Sequence, residues 1–220
     1  QRLQGIPIAY LTGKREFWSR DFITTPAVLI PRPETETLVE LCLDLIQNNS
    51  NISLLDLGTG SGIIAITLAA ELQSIQVTAV DKSTAALSIA QQNATLNNTK
   101  NIQFIQSDWF AQVPQQQFDF ILSNPPYINP TDPHLQQGDV RFEPSSALVA
   151  QENGLQDIID IAQRSKDFLK PSGYLILEHG YDQQQPVHDI LKAQHYDSIH
   201  CLTDLAGQAR VSYAQWQAKL

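Results

Sequence analysis

From residue 52 onward, short apolar runs alternate with longer stretches in which apolar residues recur at helical spacing. Strands that alternate with helices predict an α/β fold, with a doubly wound, mostly parallel sheet and helices on both of its faces. The last two strands follow each other without a helix, so we expect an antiparallel hairpin at one edge of the sheet. The predicted strands are 53–57, 76–80, 102–106, 118–123, 174–178, 198–203 and 210–216, and the predicted helices are about 62–72, 84–97, 154–169 and 184–194.

The first 33 residues follow a different pattern. We expect residues 8–11 and 16–23 to form the two strands of an N-terminal β-hairpin, joined through Thr12-Gly13-Lys14. The prolines of Ile30-Pro31-Arg32-Pro33 disfavour helix, so this stretch is predicted to be an extended linker. A helix is then predicted over about 34–47, with carboxylates in its first turn, where the helix dipole favours negative charge.

These patterns divide the chain into a hairpin and linker, residues 1–33, and a main domain, residues 34–220. The sequence begins at Gln1 and contains no methionine, although a natural protein of 220 residues would be expected to contain a few. We therefore expect that further sequence precedes Gln1 and that residues 1–33 connect it to the main domain.

Composition and charge exclude several function classes. The sequence is 42% hydrophobic, and its apolar runs are far shorter than the ~18–20 residues of a membrane span, so no membrane partner is expected. The net charge of −9 argues against stable nucleic-acid binding, which needs Lys and Arg to contact phosphates. Cys42 and Cys201 lie in apolar surroundings typical of buried thiols in a reducing compartment, which predicts a cytoplasmic protein. The histidines show no metal-ligand spacing, so no metal is predicted.

A glycine-rich turn joins the first strand of the main domain to the following helix. Gly58-Thr59-Gly60-Ser61-Gly62 would let the backbone approach a ligand closely, although a tight strand-to-helix turn would use the same residues. The dinucleotide fingerprint G-x-G-x-x-G requires glycine at the position that Ile63 occupies here. The spacing therefore favours a ligand without a pyrophosphate group.

Acidic residues lie at the ends of three successive strands. Asp56 precedes the glycine turn, Asp81 ends the second strand, and Asp108 ends the third and is followed by Trp109. Asp81 is placed to accept hydrogen bonds from both ribose hydroxyls of a nucleoside, and Asp108 with Trp109 suits an adenine ring and its amine. Each acid alone could be a helix cap or a solvated strand end. Their occurrence at successive strand ends favours a nucleoside site, because open α/β sheets bind ligands at this edge.

Asn124-Pro125-Pro126-Tyr127 follows the strand 118–123 directly. The prolines cannot donate to a sheet, so this stretch could simply end the strand. It could equally be a stiff clamp for a flat, hydrogen-bonding group. Asn124 Oδ1 and the Pro125 carbonyl would then accept the two hydrogens of a planar amine or amide, with Tyr127 against its flat face. Such acceptors orient a nitrogen lone pair for attack and favour the positive charge that develops on it.

Taken together, these residues resemble the class I S-adenosylmethionine-dependent methyltransferases over roughly residues 52–220. The resemblance implies a Rossmann-like, seven-stranded sheet whose last strand is antiparallel, with S-adenosylmethionine as methyl donor and S-adenosylhomocysteine as product. Methyltransferases with the Asn-Pro-Pro-Tyr motif act on exocyclic amines of bases or on the side-chain amide of glutamine. The residues implied in donor binding are Gly58, Thr59, Gly60, Ser61, Gly62, Asp81, Asp108, Trp109 and Asn124.

Further stretches are similar to the peptide-chain release factor glutamine methyltransferases across nearly the whole chain. They are the segment from Gly5 to Gly13, Ile30 to Glu36, the irregular segment 126–150, and Leu177-Glu178-His179-Gly180. The resemblance implies methylation at N5 of the glutamine in the Gly-Gly-Gln motif of class-1 release factors. That family carries an N-terminal helical domain, which agrees with the sequence expected before Gln1. The implied catalytic and substrate-binding residues are Asn124, Pro125, Pro126 and Tyr127, with Arg32, Glu34, Phe142 and Glu143 as further substrate-binding candidates.

Alternatives remain open at this stage. Arg32 could pair with a carboxylate or be a surface charge, Glu34 could be a helix-terminus charge, and Phe142 could belong to the core. His179 is more consistent with structural hydrogen bonding than with catalysis. Other acceptors for the methyl group are an exocyclic amine of a nucleic-acid base and a glutamine of a ribosomal protein. A protein without enzymatic activity that kept the fold is a further alternative, and a monomer is the expected state.

Overall fold

A seven-stranded sheet with helices on both faces forms the centre of the protein, as seen in a computed structural model that describes residues 1–46 and 51–217. A separate two-stranded hairpin lies near the N-terminus. The strands are β1 (Lys14–Phe17), β2 (Arg20–Ile23), β3 (Ser53–Leu57), β4 (Gln76–Asp81), β5 (Ile102–Gln106), β6 (Phe118–Ser123), β7 (Leu169–Glu178), β8 (Asp197–Thr203) and β9 (Ala209–Gln215).

The helices fall close to the predicted positions in most cases. The predicted helix over 34–47 consists of a 3₁₀ turn, Pro33–Thr35, followed by an α-helix, and its predicted last residue, Gln47, lies outside the described residues. Ser83 caps the helix after β4, with its hydroxyl accepting a hydrogen bond from the amide of Ala86. The helices are α1 (Ile8–Thr12), α2 (Glu36–Ile46), α3 (Ile63–Glu71), α4 (Thr84–Leu96), α5 (Gln151–Gly154), α6 (Gln156–Ser165) and α7 (Gln184–Ala193).

The strand order of the large sheet is β5-β4-β3-β6-β7-β9-β8, and β9 is antiparallel to both of its neighbours. The predicted parallel sheet and the antiparallel hairpin at its edge are therefore confirmed. The chain runs outward from β3 through β4 to β5 and then returns to place β6 on the other side of β3. This reversal opens a crevice between the loops that follow β3 and β6, where doubly wound sheets bind ligands.

Two apolar cores cover the two faces of the sheet. One contains buried residues of α2, α3 and α4, together with Phe17 and Phe22 of the hairpin. The other contains buried residues of α6 and α7, including Ile158 and Val187. Because the hairpin contributes two fully packed rings to the first core, it is an integral part of the folded unit.

The predicted N-terminal hairpin exists, but its first strand and its turn were placed wrongly. Residues 8–11 belong to α1, which begins after Pro7 and ends at Thr12, and Gly13 caps it in the left-handed conformation, with φ of 73°. A run of four apolar residues cannot distinguish strand from helix by periodicity. The hairpin turn lies instead at Trp18 and Ser19, whose φ angles of 52° and 55° suit a tight two-residue connection.

The predicted helix over 154–169 is shorter than expected at both ends. Glu152 and Asn153 have left-handed backbone angles, so the regular helix begins at Gln156, and it ends at Ser165. Pro171, Ser172 and Gly173, which lie between the predicted helix 154–169 and the predicted strand 174–178, are part of β7. The register there shifts, because Phe118 pairs with Leu169 whereas Phe120 pairs with Tyr174. A bulge of this kind accommodates a proline within a strand.

Within the described part of the chain, no helix has both the length and the apolar character that crossing a membrane requires. The same residues contain no group of three or more His, Cys, Asp or Glu side chains arranged to hold a metal ion.

Candidate active site

A cavity of ≈ 280 Å³ lies at the carboxyl edge of the sheet, between the loops that follow β3 and β6. The glycine turn and the end of β4 form one side, and Asn124 and Pro126 form another. Two segments from outside the sheet complete the walls: residues 27–31 before α2, and Pro144 to Ala147 after β6. Among the predicted donor-binding residues, the cavity is lined by Gly58, Thr59, Gly60, Ser61, Asp81, Asp108, Trp109 and Asn124.

The glycines of the turn have different structural roles. Gly58 has φ of 71°, and a Cβ at this position would lie 3.2 Å from the ring of Trp109. A side chain there would press on the ring and narrow the cavity. Gly62 does not line the cavity, and a Cβ there would lie 2.6 Å from Ile66 and 3.3 Å from Ala90. Gly62 therefore permits the close packing of α3 on α4 rather than the approach of a ligand.

Asp81 anchors the glycine turn as well as lining the cavity. Its Oδ2 accepts a hydrogen bond from the amide of Gly60 at 2.9 Å, and its Oδ1 accepts one from the amide of Ser83 at 2.8 Å. These two contacts fix the carboxylate plane. Each oxygen keeps a lone pair with which it can accept a further hydrogen bond.

Asp56 is close to the turn but faces the protein interior. It is fully buried, and the hydroxyl of Thr59 donates to its Oδ2 at 2.6 Å. Burial raises the pKa of Asp56 to about 7, with the Thr59 hydrogen bond acting in the opposite direction. Asp56 therefore supports the turn from beneath and does not reach the cavity.

Asp108 and Trp109 lie just beyond the end of β5, which finishes at Gln106. Asp108 is exposed, and both residues line the cavity. Trp109 has a left-handed φ of 47°, and the hydroxyl of Ser107 donates to its carbonyl at 2.7 Å. This local hydrogen bond stabilises the backbone conformation that directs the Trp109 ring towards Gly58.

Two of the four residues of the Asn-Pro-Pro-Tyr segment line the cavity, and the other two lie behind its wall. Asn124 and Pro126 line the cavity, whereas Pro125 is buried and Tyr127 lies behind the wall. The Asn124 side chain donates from Nδ2 to the hydroxyl of Thr35 at 3.3 Å. No hydrogen bond reaches the Pro125 carbonyl from residues 1–46 or 51–217. The two acceptors of the predicted clamp, Asn124 Oδ1 and this carbonyl, therefore have no hydrogen-bond partner among the described residues.

Tyr127 is held at both ends. Its hydroxyl donates to Oε1 of Glu178 at 3.3 Å, and its carbonyl accepts a hydrogen bond from Nε2 of Gln183 at 3.0 Å. A Cβ on Gly154, which has φ of 85°, would lie 2.1 Å from the same carbonyl. The left-handed turn at 152–154 therefore packs directly against the clamp, and only glycine fits at 154.

Glu178 at the end of β7 is 1% exposed and accepts the hydrogen bond from the Tyr127 hydroxyl. Burial raises the pKa of Glu178 to about 7, while the nearby Arg210 and the hydrogen bond from Tyr127 act in the opposite direction. Its buried Oε2 has no hydrogen-bond partner among the described residues. The next residue, His179, is buried with both ring nitrogens in contact: Nδ1 with the Gly180 carbonyl and Nε2 with the Ser212 hydroxyl, each at 2.8 Å. His179 thus has the hydrogen-bonding environment of a structural residue.

The four weaker substrate-binding candidates lie outside the cavity lining. Arg32 forms an ion pair with Glu143, whose carboxylate also accepts a hydrogen bond from the amide of Ile30 at 3.1 Å. Arg32 therefore pairs with a carboxylate and is not simply a surface charge. Glu34 is exposed, and Phe142 is half-buried beneath the guanidinium of Arg141. The Arg32–Glu143 pair joins the two outer segments that close the cavity.

Several residues that support the site were not predicted from the sequence. Thr35, Gln183 and Gly154 support the clamp, and Asn93 supports the glycine turn by donating to the Ser61 carbonyl at 2.9 Å. None of these positions carries a local signal, because each acts through a partner distant in sequence. Of the two cysteines, Cys42 is buried as expected, whereas Cys201 is partly exposed.

The sequence and the structure are similar to known methyltransferases. The sequence matches the methyltransferase small domain family over residues 34–197. A release factor glutamine methyltransferase from Shewanella oneidensis is 46% identical over 98% of this chain and 75% of its own length. A solved protein-(glutamine-N5) methyltransferase, release factor-specific, from Alicyclobacillus acidocaldarius is 26% identical, with a TM-score of 0.55 over 89% of this chain and 99% of that one.

A second solved structure is less similar in sequence and shows similarity of fold alone. The 16S rRNA N2 G1207 methyltransferase of Thermus thermophilus, in complex with AdoMet and guanosine, is 18% identical, with a TM-score of 0.69 over 93% of this chain and 50% of that one.

Proposed function

The chain belongs to the release factor glutamine methyltransferases, and we propose that it transfers a methyl group from S-adenosylmethionine to N5 of the glutamine in the Gly-Gly-Gln motif of class-1 release factors. One structural observation supports placing this reaction in the cavity. Asn124 and Pro126 line the same cavity as Asp81 and the glycine turn, so a methyl donor and an amide acceptor can meet there.

The cavity fits the proposed donor. Asp81 keeps acceptor capacity for ribose hydroxyls, and the absent side chain of Gly58 leaves room beside the Trp109 ring. Asp108 offers an acceptor for the adenine amine. The acidic side chains and the lack of a third glycine suit a nucleoside without phosphates. We propose Gly58, Thr59, Gly60, Ser61, Asp81, Asp108 and Trp109 as the donor-binding set, with Gly62 acting through helix packing.

The clamp residues would orient and activate the amide nitrogen, which is a weak nucleophile. Its lone pair is delocalised into the carbonyl, so it needs orientation and stabilisation of the positive charge that develops during attack. Asn124 Oδ1 and the Pro125 carbonyl accept the two amide hydrogens and aim the lone pair into the cavity. Tyr127, fixed at its hydroxyl and its carbonyl, keeps the segment rigid.

When bound, the donor supplies a methyl group on a positively charged sulfur. The carbon–sulfur bond breaks as the carbon–nitrogen bond forms, the electron pair remains on sulfur, and the nitrogen loses one proton to water. The reaction as proposed uses no metal, nucleophilic side chain or general base.

We propose that residues 34–220 form the catalytic domain and that residues 1–33 are a hairpin and linker packed onto it. Asn93 of α4 hydrogen-bonds the backbone of Ile23 in β2, which supports close association of the hairpin with the donor side of the site. The proposed partners are class-1 release factors, which the chain would meet in the cytoplasm and modify as a monomer, without stable binding to nucleic acid.

The proposal is tested by offering labelled donor with three substrates in parallel. They are a class-1 release factor, the same factor with its Gly-Gly-Gln glutamine changed to alanine, and duplex DNA with structured RNA. Label in the unsubstituted factor alone supports the proposal. Label in nucleic acid would replace the glutamine with a base amine, and label in neither, with donor binding absent, would favour a protein without enzymatic activity.

A further inference from the structure

Gln183 lies at the start of α7 with its side chain inside the protein. It is buried, whereas the next residue, Gln184, is exposed, and it forms no capping hydrogen bond to α7. Its side-chain amide is instead hydrogen-bonded to three separate segments of the chain. Oε1 accepts from the amide of Gly180 at 2.8 Å, and Nε2 donates to the carbonyls of Tyr127 at 3.0 Å and Asn153 at 3.4 Å. One side chain thus joins the loop after β7, the clamp and the turn at 152–154.

The chemistry of the partners fixes the orientation of this amide. A backbone N–H can only donate and a backbone carbonyl can only accept, so Oε1 faces Gly180 and the NH₂ group faces Tyr127 and Asn153. If the amide were turned, donors would face donors and acceptors would face acceptors. Glutamate has the same shape, but when ionised it offers acceptors only. The three contacts therefore require both halves of the glutamine amide.

The hydrogen bond from Gln183 to Tyr127 holds the far end of the clamp. The near end is held at the last residue of β6, where the Ser123 hydroxyl donates to the backbone of β3 at 2.8 Å. Between these two points, the rings of Pro125 and Pro126 fix two of the φ angles. Few backbone rotations remain once the Tyr127 carbonyl is held. The direction of the Pro125 carbonyl, a proposed acceptor for the substrate amide, therefore depends on the hydrogen bond from Gln183.

The third segment that Gln183 contacts is a strained turn. Residues 152–154 have φ angles of 51°, 57° and 85°, a left-handed conformation that is unfavourable for residues with a Cβ. Two hydrogen bonds hold Asn153 in it, one from Gln183 to its carbonyl and one from Asn129 Nδ2 to its Oδ1 at 3.0 Å. A Cβ on the last residue of the turn would lie 2.1 Å from the Tyr127 carbonyl oxygen and 2.9 Å from Nε2 of Gln183. The turn therefore packs directly against the hydrogen bond that holds the clamp.

We propose that Gln183 is a positioning residue for methyl transfer: by holding the Tyr127 carbonyl, its NH₂ group directs the Pro125 carbonyl at the substrate amide. The inference rests on the proposed function, because the Pro125 carbonyl has this task only if the glutamine amide receives the methyl group. Gln183 does not line the cavity, so it acts through Tyr127 rather than by contact with donor or substrate.

Gln183→Glu tests the hydrogen bond with little change of shape. At about pH 8 the ionised carboxylate still accepts from Gly180 but presents an oxygen to the two carbonyls. We expect kcat on the release factor to fall about tenfold to a hundredfold, because misplacement of a reacting group has effects of this size. KM for the factor, and donor affinity measured by calorimetry, should each change by less than about threefold, because the lost effect belongs to the transition state.

The pH dependence of this variant separates positioning from a merely structural role. A protonated carboxyl group both donates and accepts, as the glutamine amide does, and burial beside two carbonyls favours the protonated form. The ratio of kcat in Gln183→Glu to kcat in the unsubstituted chain should therefore rise severalfold from about pH 8 to about pH 5.5. Taking the ratio removes titrations that the two proteins share.

Charged groups around residue 183 affect this titration in both directions. Glu152 in the turn, Glu178 at the end of β7 and Asp182 are acids, and their negative charge favours the protonated form. Arg210, which donates to the His179 carbonyl at 3.3 Å, favours the ionised form. Burial lowers the pKa of His179 and so favours its neutral form.

Two further variants serve as controls. Gln183→Met keeps the length of the side chain but removes donor and acceptor together, so its kcat should be low at about pH 8 and should show no recovery at about pH 5.5. Gln184→Glu makes the same change in charge at the exposed neighbouring position, and it should keep kcat within about twofold of the unsubstituted chain.

Three results would overturn the inference: equal kcat values for Gln183→Glu and Gln184→Glu at the higher pH, a kcat ratio that does not rise at the lower pH, or a loss of donor affinity as large as the loss of kcat. If the unsubstituted chain labels the release factor and one of these results is obtained, the inference fails and the proposed function stands. If the unsubstituted chain binds donor but labels no release factor, the proposed function fails and the inference falls with it. If Gln183→Glu folds only at low pH, Gln183→Met decides, since a kcat close to that of the unsubstituted chain contradicts the inference.

Discussion

Asn93 on α4 donates a hydrogen bond from Nδ2 to the carbonyl of Ser61 at 2.9 Å, and the same side chain bonds both backbone groups of Ile23. Asn93 is fully buried and does not line the cavity. One amide thus connects the glycine turn, a helix and the N-terminal hairpin, so the geometry of the proposed donor site depends on a residue outside the cavity lining.

Replacement of Asn93 by alanine should weaken donor binding several-fold and destabilise the fold. The substitution leaves the buried Ser61 carbonyl and the partly buried backbone groups of Ile23 without this partner, and a buried group without a partner costs about 1–3 kcal/mol. Calorimetric titration with donor and chemical denaturation measure the two effects. Gln92→Ala on the exposed side of the same helix is the control, and an equal result for both variants would contradict the role of Asn93.

Asp81→Ala should weaken donor binding by more than about tenfold, because hydrogen bonds to a charged group contribute about 1.5–3 kcal/mol. The variant also removes the acceptor of the Gly60 amide, so the turn loses an anchor. Asp197→Ala, at an exposed position of β8, makes the same change in net charge. A dissociation constant equal to that of the control would remove Asp81 from the proposed site.

Asn124→Ala should abolish methyl transfer while donor affinity stays nearly intact, because the lost acceptor serves the substrate amide rather than the donor. Activity is measured with the release factor and labelled donor, and affinity by calorimetry on the same preparation. Gln103→Ala removes an exposed amide on the edge strand β5 as a control. A large loss of donor affinity in Asn124→Ala would show that Asn124 serves the donor instead.

Arg32→Met should lower the free energy of unfolding by about 3 kcal/mol, since it leaves the buried carboxylate of Glu143 without its cation. The Glu143 side chain is 0% exposed and that of Arg32 is 29% exposed. Denaturant titration measures the loss, and the double variant with Glu143→Gln should recover part of it.

An exposed ion pair serves as the comparison. Lys14 and Asp21 lie 2.6 Å apart with side chains 60% and 50% exposed. Lys14→Met should therefore cost less than about 1 kcal/mol. Similar losses for Arg32→Met and Lys14→Met would mean that the Arg32–Glu143 pair does not hold the outer segments together.

Glu178→Gln should stabilise the protein relative to the unsubstituted chain, and increasingly so as pH rises. Burial raises the pKa of Glu178 from 4.5 to about 7 in the folded state. The folded state therefore holds a proton that the unfolded state releases, and the stability linked to it is lost as pH rises through about 7. Melting temperatures of both proteins between about pH 4.5 and pH 8 test this. A constant difference over that range would contradict the raised pKa.

The sequence by itself determined the architecture of the protein and the edge of the sheet at which the proposed site lies. Alternating apolar runs placed β3 to β9 to within a few residues, because strand and helix periods are local properties of the chain. Strand ends bearing the glycine turn, Asp81 and Asn124 were sufficient to predict one site, since parallel strands bring their carboxyl ends to the same edge.

Only the tertiary structure decided which residues support that site and from where. The short run 8–11 proved to be a helix, because four apolar residues carry no period of their own. Thr35 and Asn124, which share a hydrogen bond, are 89 positions apart, and the pairing of Arg32 with Glu143 spans 111, so no local pattern could join them. Their roles follow from burial: a polar group removed from water must find its partner wherever the fold provides one, and that partner is set by packing rather than by sequence.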